Sequence, residues 1–137
     1  MPRTFQMGVL VLFLFGCTDQ GLDPFARWMS YDPPDYTIDQ VRMCWCQLAG
    51  ETMRISVRAD TIASVVNLSD GSELSHQMAS WYLTVDSMFG VIRNTSRDSL
   101  VITFNETYGY PETLDINPQL HPVDGGVLYR TSNLRIP

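Results

Sequence analysis

Two cysteines one residue apart are the strongest candidates for chemistry in this chain of 137 residues. Cys44 and Cys46 flank Trp45 in a predicted strand, so their side chains point to the same face. Regular extended geometry sets their Cα atoms about 7 Å apart, near the limit for an unstrained disulfide, and a bulge or strand end at Trp45 is needed to close one. Three interpretations are open: a local disulfide, two reduced buried thiols, or a redox or metal role.

Other residue types that carry chemistry lack partners at a useful spacing. Two cysteines supply half a metal site, and His76 and His121 lie in predicted loops far apart in the sequence. The sequence holds no Gly-x-Ser-x-Gly motif and no glycine loop for phosphate. We therefore predict no catalytic residue, no cofactor and no metal ion, and expect that the protein is not an enzyme.

The N-terminal segment has the pattern of a targeting sequence. Arg3 is its one charge, Val9–Phe15 is apolar, and Gly16 precedes Cys17. Such an apolar run is too short to span a bilayer as a helix. A small residue before a cysteine at its end resembles the lipobox of bacterial lipoproteins, which implies a signal peptide over residues 1–16 and lipid on Cys17. The alternatives are an ordinary secretory signal or a short buried strand.

A lipidated cysteine predicts an exported protein of the bacterial cell envelope, anchored to a membrane and facing the periplasm or the exterior. The formal net charge of −6 becomes −7 once Arg3 leaves with the signal peptide. This charge repels phosphate backbones and anionic lipid surfaces, so we predict no nucleic-acid partner and membrane association through the lipid on Cys17. Export also favours the oxidised state of Cys44 and Cys46.

Residues 17–34 are predicted to form a lipidated N-terminus and an extended tether. Proline and aspartate recur in this segment, and proline fixes φ and interrupts hydrogen-bond ladders. Within it, Phe25, Trp28 and Met29 are spaced for a short helical turn that packs on the core. The folded domain is expected to cover residues 35–137.

Hydrophobic periodicity predicts one main helix and a sheet. Val85, Met88, Phe89 and Ile92 recur at helical spacing, with Thr84 as the N-cap. Neither face of the first predicted strand is plainly the solvent side, which favours a position in the middle of the sheet. The predicted fold is a single α+β domain, an antiparallel sheet of about five or six strands packed on that helix. The predicted strands are Tyr36–Cys46, Thr52–Arg58, Thr61–Leu68, Leu100–Phe104, Glu112–Ile116 and Val127–Ile136.

A predicted hairpin loop carries Tyr108, Gly109, Tyr110 and Pro111 at its tip. Gly109 permits positive φ and Pro111 cannot donate to the ladder, which favours a turn at this point. Two tyrosines at an exposed tip are suited to contact with an envelope protein partner, and an ordinary packed hairpin is the alternative.

Short segments spread along the sequence carry a resemblance to a known family. They are Tyr36-Thr37, Arg42, Cys44-Trp-Cys46, Arg54-Ile-Ser-Val-Arg58, Thr84-Val-Asp-Ser-Met-Phe89, Tyr108-Gly-Tyr-Pro111 and Leu114-Asp-Ile116. In these, between Tyr31 and Ile136, the chain resembles the domain of unknown function 6174, a family of small exported bacterial proteins of which many are lipoproteins. The resemblance implies export and implies no activity.

The anchor and the lack of a catalytic motif in the sequence lead to a functional hypothesis. We expect a non-enzymatic envelope lipoprotein that binds or supports another envelope component. The competing hypothesis is an exported redox protein that uses Cys44 and Cys46.

Overall fold

Six strands and three helices make up the part of the chain that the computed structural model describes, which is Gly21 and residues 23–120 and 125–137. The helices are α1 (Pro24–Tyr31), α2 (His76–Ala79) and α3 (Val85–Asn94), and a 3₁₀ turn covers Pro118–Leu120. The strands are β1 (Tyr36–Met43), β2 (Thr52–Arg58), β3 (Thr61–Asn67), β4 (Leu100–Phe104), β5 (Pro111–Ile116) and β6 (Val127–Arg135).

These strands join in one antiparallel sheet with the order β3-β2-β1-β6-β5-β4. β1 lies inside the sheet because it pairs with β2 on one side and with the C-terminal β6 on the other. β3 and β4 form the two edges. The predicted central position of the first strand is confirmed, and so is a single α+β domain built on an antiparallel sheet.

The helices cover the face of the sheet to which Tyr36 and Gln40 of β1 point. Tyr36 Oη accepts the N–H of Val85 at 2.9 Å. Gln40 bonds Leu83 through both ends of its amide, since Nε2 donates to the C=O at 3.2 Å and Oε1 accepts the N–H at 3.0 Å. These bonds fix the start of α3 across the centre of the sheet. Buried apolar side chains between the layers include Ile38, Met53, Ile55, Val57, Val65 and Leu114.

The main helix α3 begins where the sequence predicts. Thr84 Oγ1 accepts the N–H of Ser87 at 3.0 Å, which satisfies one free donor of the first turn. Val85, Met88 and Phe89 are buried, as their helical spacing predicts. The predicted helix is therefore confirmed in its start and in its apolar face.

Helix α1 is part of the folded domain. Asp23 caps it by accepting the N–H of Ala26 at 3.1 Å. Trp28 is 1% exposed, packs edge-on against the ring of Tyr36, and donates its Nε1–H to Asp86 Oδ1 of α3 at 3.1 Å. A buried indole with a satisfied N–H holds the helix against both the sheet and α3.

The predicted short helical turn around Trp28 is confirmed and is longer than expected, so residues 24–31 do not form part of an extended tether. Burial of Trp28 supplies a tertiary contact that local proline content does not reveal. Of the three side chains predicted to pack on the core, Trp28 does so fully, whereas Phe25 and Met29 are 38% and 43% exposed. The predicted signal peptide, residues 1–16, and the cysteine that follows it lie outside the described residues.

Candidate functional site

The cysteine pair lies in a turn after β1 and not within a strand. β1 ends at Met43, where the predicted strand continues to Cys46. The N–H of Gly50 donates to the C=O of Arg42 at 3.0 Å, and Leu48 adopts a φ of 59°. This backbone bond closes the turn that leads back to β2, so the predicted strand is wrong after Met43.

Outside a regular strand, the two cysteines approach each other. Their Cα atoms lie 5.2 Å apart, within the usual range for a disulfide, and their sulfur atoms are in close contact. Cys46 is exposed and Cys44 is partly buried, while Trp45 between them is 81% exposed. The exposure of Cys46 does not fit the interpretation of two buried thiols.

Arg42 places a positive charge beside this pair. Its side chain is 8% exposed. Nη2 donates to Cys46 Sγ at 3.3 Å, and Nη1 donates to the C=O of Trp81 at 3.5 Å. The guanidinium carbon lies 4.9 Å from the ring centroid of Trp81 and 5.6 Å from that of Tyr82. Arg42 forms no ion pair with any described residue. Its contacts include two rings, a carbonyl, a sulfur and the hydroxyl of Tyr129.

Two buried tyrosines border the guanidinium. Burial raises the pKa of Tyr82 and of Tyr129, and the positive charge of Arg42 opposes both rises. Tyr129 Oη donates to the C=O of Trp81 at 3.4 Å. Across residues 23–120 and 125–137, Arg42 Nε and Tyr82 Oη are buried without a hydrogen-bond partner. Sequence reasoning missed this cluster because Arg42 and the two tyrosines come from three separate segments.

The predicted contact loop, Tyr108–Pro111, lies under α1. Gly109, Tyr110 and Pro111 are buried. Gly109 has a φ of 82°, and a Cβ atom at this position would collide with the C=O of Pro24 in α1. The close approach of the helix backbone therefore requires glycine here.

Tyr108 is the residue of this loop that keeps part of its exposure, and its ring centroid lies 4.9 Å from that of Tyr31 in α1. The hypothesis of an exposed contact loop is corrected by this arrangement. The segment forms a packed loop because α1, assigned to the tether from the sequence, covers it.

A groove of about 460 Å³ lies between the edge strand β3 and the segment that carries α2 and the start of α3. We call it the β3 groove. Ile62, Ala63 and Leu74 contribute apolar surface to it, and Asp60 and Glu73 contribute carboxylates. The turn signals of the polar loop after β3 did not predict it, because the groove exists only once the sheet order makes β3 an edge.

His76 does not form a metal site with the cysteines in the described part of the chain. His76 is the first residue of α2 and is exposed, and His121 lies outside the described residues. Within the described ranges, no group of three or more His, Cys, Asp or Glu side chains is placed to hold a metal ion. No helix in those ranges is long and apolar enough to cross a membrane.

The fold and the site define a small α+β domain that presents a cysteine pair at the end of its central strand. The chain matches the family model described as a family of unknown function, DUF6174, over residues 22–136. It belongs to that family, which confirms the resemblance carried by the short sequence segments. The match also includes α1, in agreement with its place in the folded domain. Searches among curated proteins and among solved structures found no match.

Proposed function

We propose that this protein is a lipoprotein of the bacterial cell envelope whose β3 groove binds an extended segment of another envelope protein without changing it chemically. Lipid on Cys17 holds it at a membrane, with the domain facing the periplasm or the exterior. The observation that carries the binding function is a groove along an open sheet edge, because a peptide that adds a strand to such an edge gains both backbone bonds and side-chain pockets.

The outer side of β3 can accept another strand at its N-terminal end, residues 61–64. Near the other end, the C=O of Val65 accepts the N–H of Leu74 at 2.9 Å, and the N–H of Asn67 donates to the C=O of Ser72 at 2.8 Å. Residues 61–64 make no such outward backbone bond to any described residue. An extended segment in the groove continues the sheet at this place.

The charge of the groove favours a cationic partner. Asp60 and Glu73 lie among its lining residues, and no arginine from the described part of the chain does. The whole chain has a formal net charge of −6. Opposite charge steers association and sets the orientation of a bound segment. We therefore infer an occupant that alternates basic side chains with small apolar ones.

Binding of synthetic peptides to the full-length protein in detergent, measured by calorimetry, tests this proposal. A peptide of alternating valine and arginine should bind. The same peptide with alternate backbone nitrogens methylated should bind at least about tenfold more weakly, because the ladder bonds are lost. A peptide of alternating valine and glutamate should not bind. Equal affinity for the methylated peptide would show that no strand is added.

A pair of variants locates the binding surface. Ala63→Arg fills the groove and opposes a cationic peptide, so binding should be lost. Thr103→Arg makes the same change of charge at an exposed position on β4, the opposite edge of the sheet, and should bind like the wild type. Equal binding by Ala63→Arg and the wild type would exclude the β3 groove.

The lipid anchor is tested separately. Cys17→Ser removes the acceptor of the lipid and should move the protein from the membrane fraction to the soluble fraction after cell breakage. Thr18→Ser, beside it, should stay with the membranes. A Cys17→Ser protein that still sediments with membranes would contradict lipid anchoring and leave the groove proposal untouched.

A further inference from the structure

The turn after β1 presents the cysteine pair to solvent. We call residues 43–46 the cysteine tip. Trp45 is 81% exposed and Met43 is 42% exposed, and Cys46 is exposed beside them. A sulfur in such a place is accessible to a second polypeptide, whereas a structural cysteine is typically buried.

Arg42 distinguishes the two sulfurs electrostatically. Its Nη2 lies 3.3 Å from Cys46 Sγ, and no described group donates a hydrogen bond to Cys44 Sγ. A nearby cation favours thiolate over thiol, and the thiolate is the form that exchanges with disulfides. In the described part of the chain no carboxylate forms an ion pair with this guanidinium. The charge of Glu51 acts on the neighbouring Tyr82.

The guanidinium is also held in place. It lies over the ring of Trp81 and donates to the C=O of the same residue. A donor that is already oriented loses little side-chain entropy when the thiolate forms. Arg42 is therefore a positioning residue for Cys46.

From this arrangement we propose that Cys44 and Cys46 form a redox-active pair that exchanges with the dithiols of exported proteins, and that Cys46 is the sulfur that bonds to the partner. The exposed apolar side chains of Met43 and Trp45 suit an extended segment with apolar residues beside its cysteines, as in an exported chain that has not yet folded.

The reaction begins with the pair in its oxidised state. A thiolate of the partner dithiol attacks Cys46 Sγ, the bond between the two cysteines breaks, and Cys44 Sγ leaves and takes up a proton. The second partner thiolate then attacks the partner sulfur of the mixed disulfide, and Cys46 Sγ leaves as a thiolate next to Arg42. Two electrons pass from the partner to the pair. One partner proton is carried by Cys44 and the other goes to solvent.

The test uses the full-length protein with Cys17→Ser, so that two cysteines remain. Mixtures of reduced and oxidised dithiothreitol should convert the pair reversibly between its reduced and oxidised states. Alkylation followed by mass spectrometry measures the fraction of each state. The oxidised protein should also oxidise a synthetic peptide that carries two cysteines flanked by leucine. A pair that does not interconvert, or that leaves the peptide reduced, would overturn the proposal.

The role of Arg42 is read from the pH dependence of alkylation by iodoacetamide. With Cys44→Ser, the midpoint for Cys46 should lie below the ordinary thiol value of about 8.5, and Arg42→Met should raise it by about one unit. With Cys46→Ser, the alkylation midpoint of Cys44 should be higher than that of Cys46 in the Cys44→Ser protein. The alkylation midpoints of the two cysteines are compared in variants that keep Arg42. Equal midpoints would overturn the assignment of Cys46 as the sulfur that bonds to the partner.

One variant distinguishes failure of the redox proposal from failure of the groove proposal. Ala63→Arg, which blocks the β3 groove, should oxidise the dithiol peptide at the wild-type rate. A slower rate for that variant would show that the groove and the cysteine tip work on one substrate, against an independent redox site.

Discussion

Strand β1 buries one charged side chain on each of its faces, and the two have opposite surroundings. Asp39 is 3% exposed on the face away from the helices, where Arg54 donates to both carboxylate oxygens at 2.8 and 3.0 Å and Asn133 donates at 3.0 Å. Arg42 is 8% exposed on the helix face and has no carboxylate partner among the described residues.

The difference separates a structural charge from one that is available for chemistry. Burial alone would raise the pKa of Asp39, but hydrogen bonds from Arg54 and Asn133 hold it below its ordinary value. That carboxylate is saturated by its partners. Arg42 instead keeps an unpaired Nε and contacts an exposed sulfur. A negative charge that forms on that sulfur therefore meets a cation that has no ion-pair partner among the described residues.

The largest effect is expected from Arg54→Ala, which leaves the buried Asp39 carboxylate without its charge partner. Urea unfolding should show a loss of about 2–3 kcal/mol, at the lower end for a broken buried pair because Arg54 is 33% exposed. Combining Arg54→Ala with Asp39→Asn removes the stranded charge and should restore part of the loss. A double variant as unstable as the single one would contradict the dependence of Asp39 on its partner.

A smaller effect is expected from Arg42→Met. The change leaves no unpaired charge behind and keeps apolar contact with the rings, so the free energy of unfolding should fall by about 1 kcal/mol. Arg130→Met, at an exposed position on β6, serves as the control and should stay within about 0.5 kcal/mol of the wild type. If Arg42→Met lowers the free energy of unfolding more than Arg54→Ala does, the difference between a structural charge and an available one is contradicted.

The loss of stability at low pH should depend on Asp39 and not on Arg42. Because the pKa of Asp39 is lowered by folding, its contribution to stability is complete above the unfolded value of about 4 and is lost as pH falls through the lower folded value. Urea unfolding at decreasing pH should show this loss in the wild type and in Arg42→Met. In Asp39→Asn the free energy of unfolding should depend less on pH. A dependence on pH as steep as that of the wild type would contradict the role of Asp39.

The smallest effects are expected at the two tyrosines beside Arg42. Tyr129→Phe removes a long hydrogen bond to the C=O of Trp81 and should cost about 0.5 kcal/mol. Tyr82→Phe removes a buried hydroxyl that has no partner in the described part of the chain, so the protein should be as stable as the wild type or slightly more so. Thermal unfolding compares them, and equal losses would show that the Tyr82 hydroxyl is bonded.

The main elements of the fold could be predicted because their signals are local. β1 has no plainly solvent-facing side, which indicates a central strand, and the spacing from Val85 to Ile92 with Thr84 as cap indicates α3. Helix α1 could not be predicted in full, since its stability depends on the contact of Trp28 with Asp86 in α3. Long-range contacts of this kind outweigh local proline signals.

The candidate sites could be predicted only in part for the same reason. The spacing of Cys44 and Cys46 is visible in the sequence, and it indicates that a disulfide needs a strand end. The contact of Arg42 with Cys46 depends on the turn closed by Gly50, and the β3 groove depends on the order of strands in the sheet. Neither feature follows from a pattern within one segment.

Helix α1 begins at Pro24, with Asp23 as its cap, and this start limits the distance between the folded domain and a bilayer. From Cys17 to Asp23 the chain spans at most about 20 Å when fully extended, much less than a tether that continued to Pro34. If Cys17 carries the proposed acyl chains, the domain is held close above the lipid headgroups. The proposed partner would then reach it sideways, along the plane of the membrane.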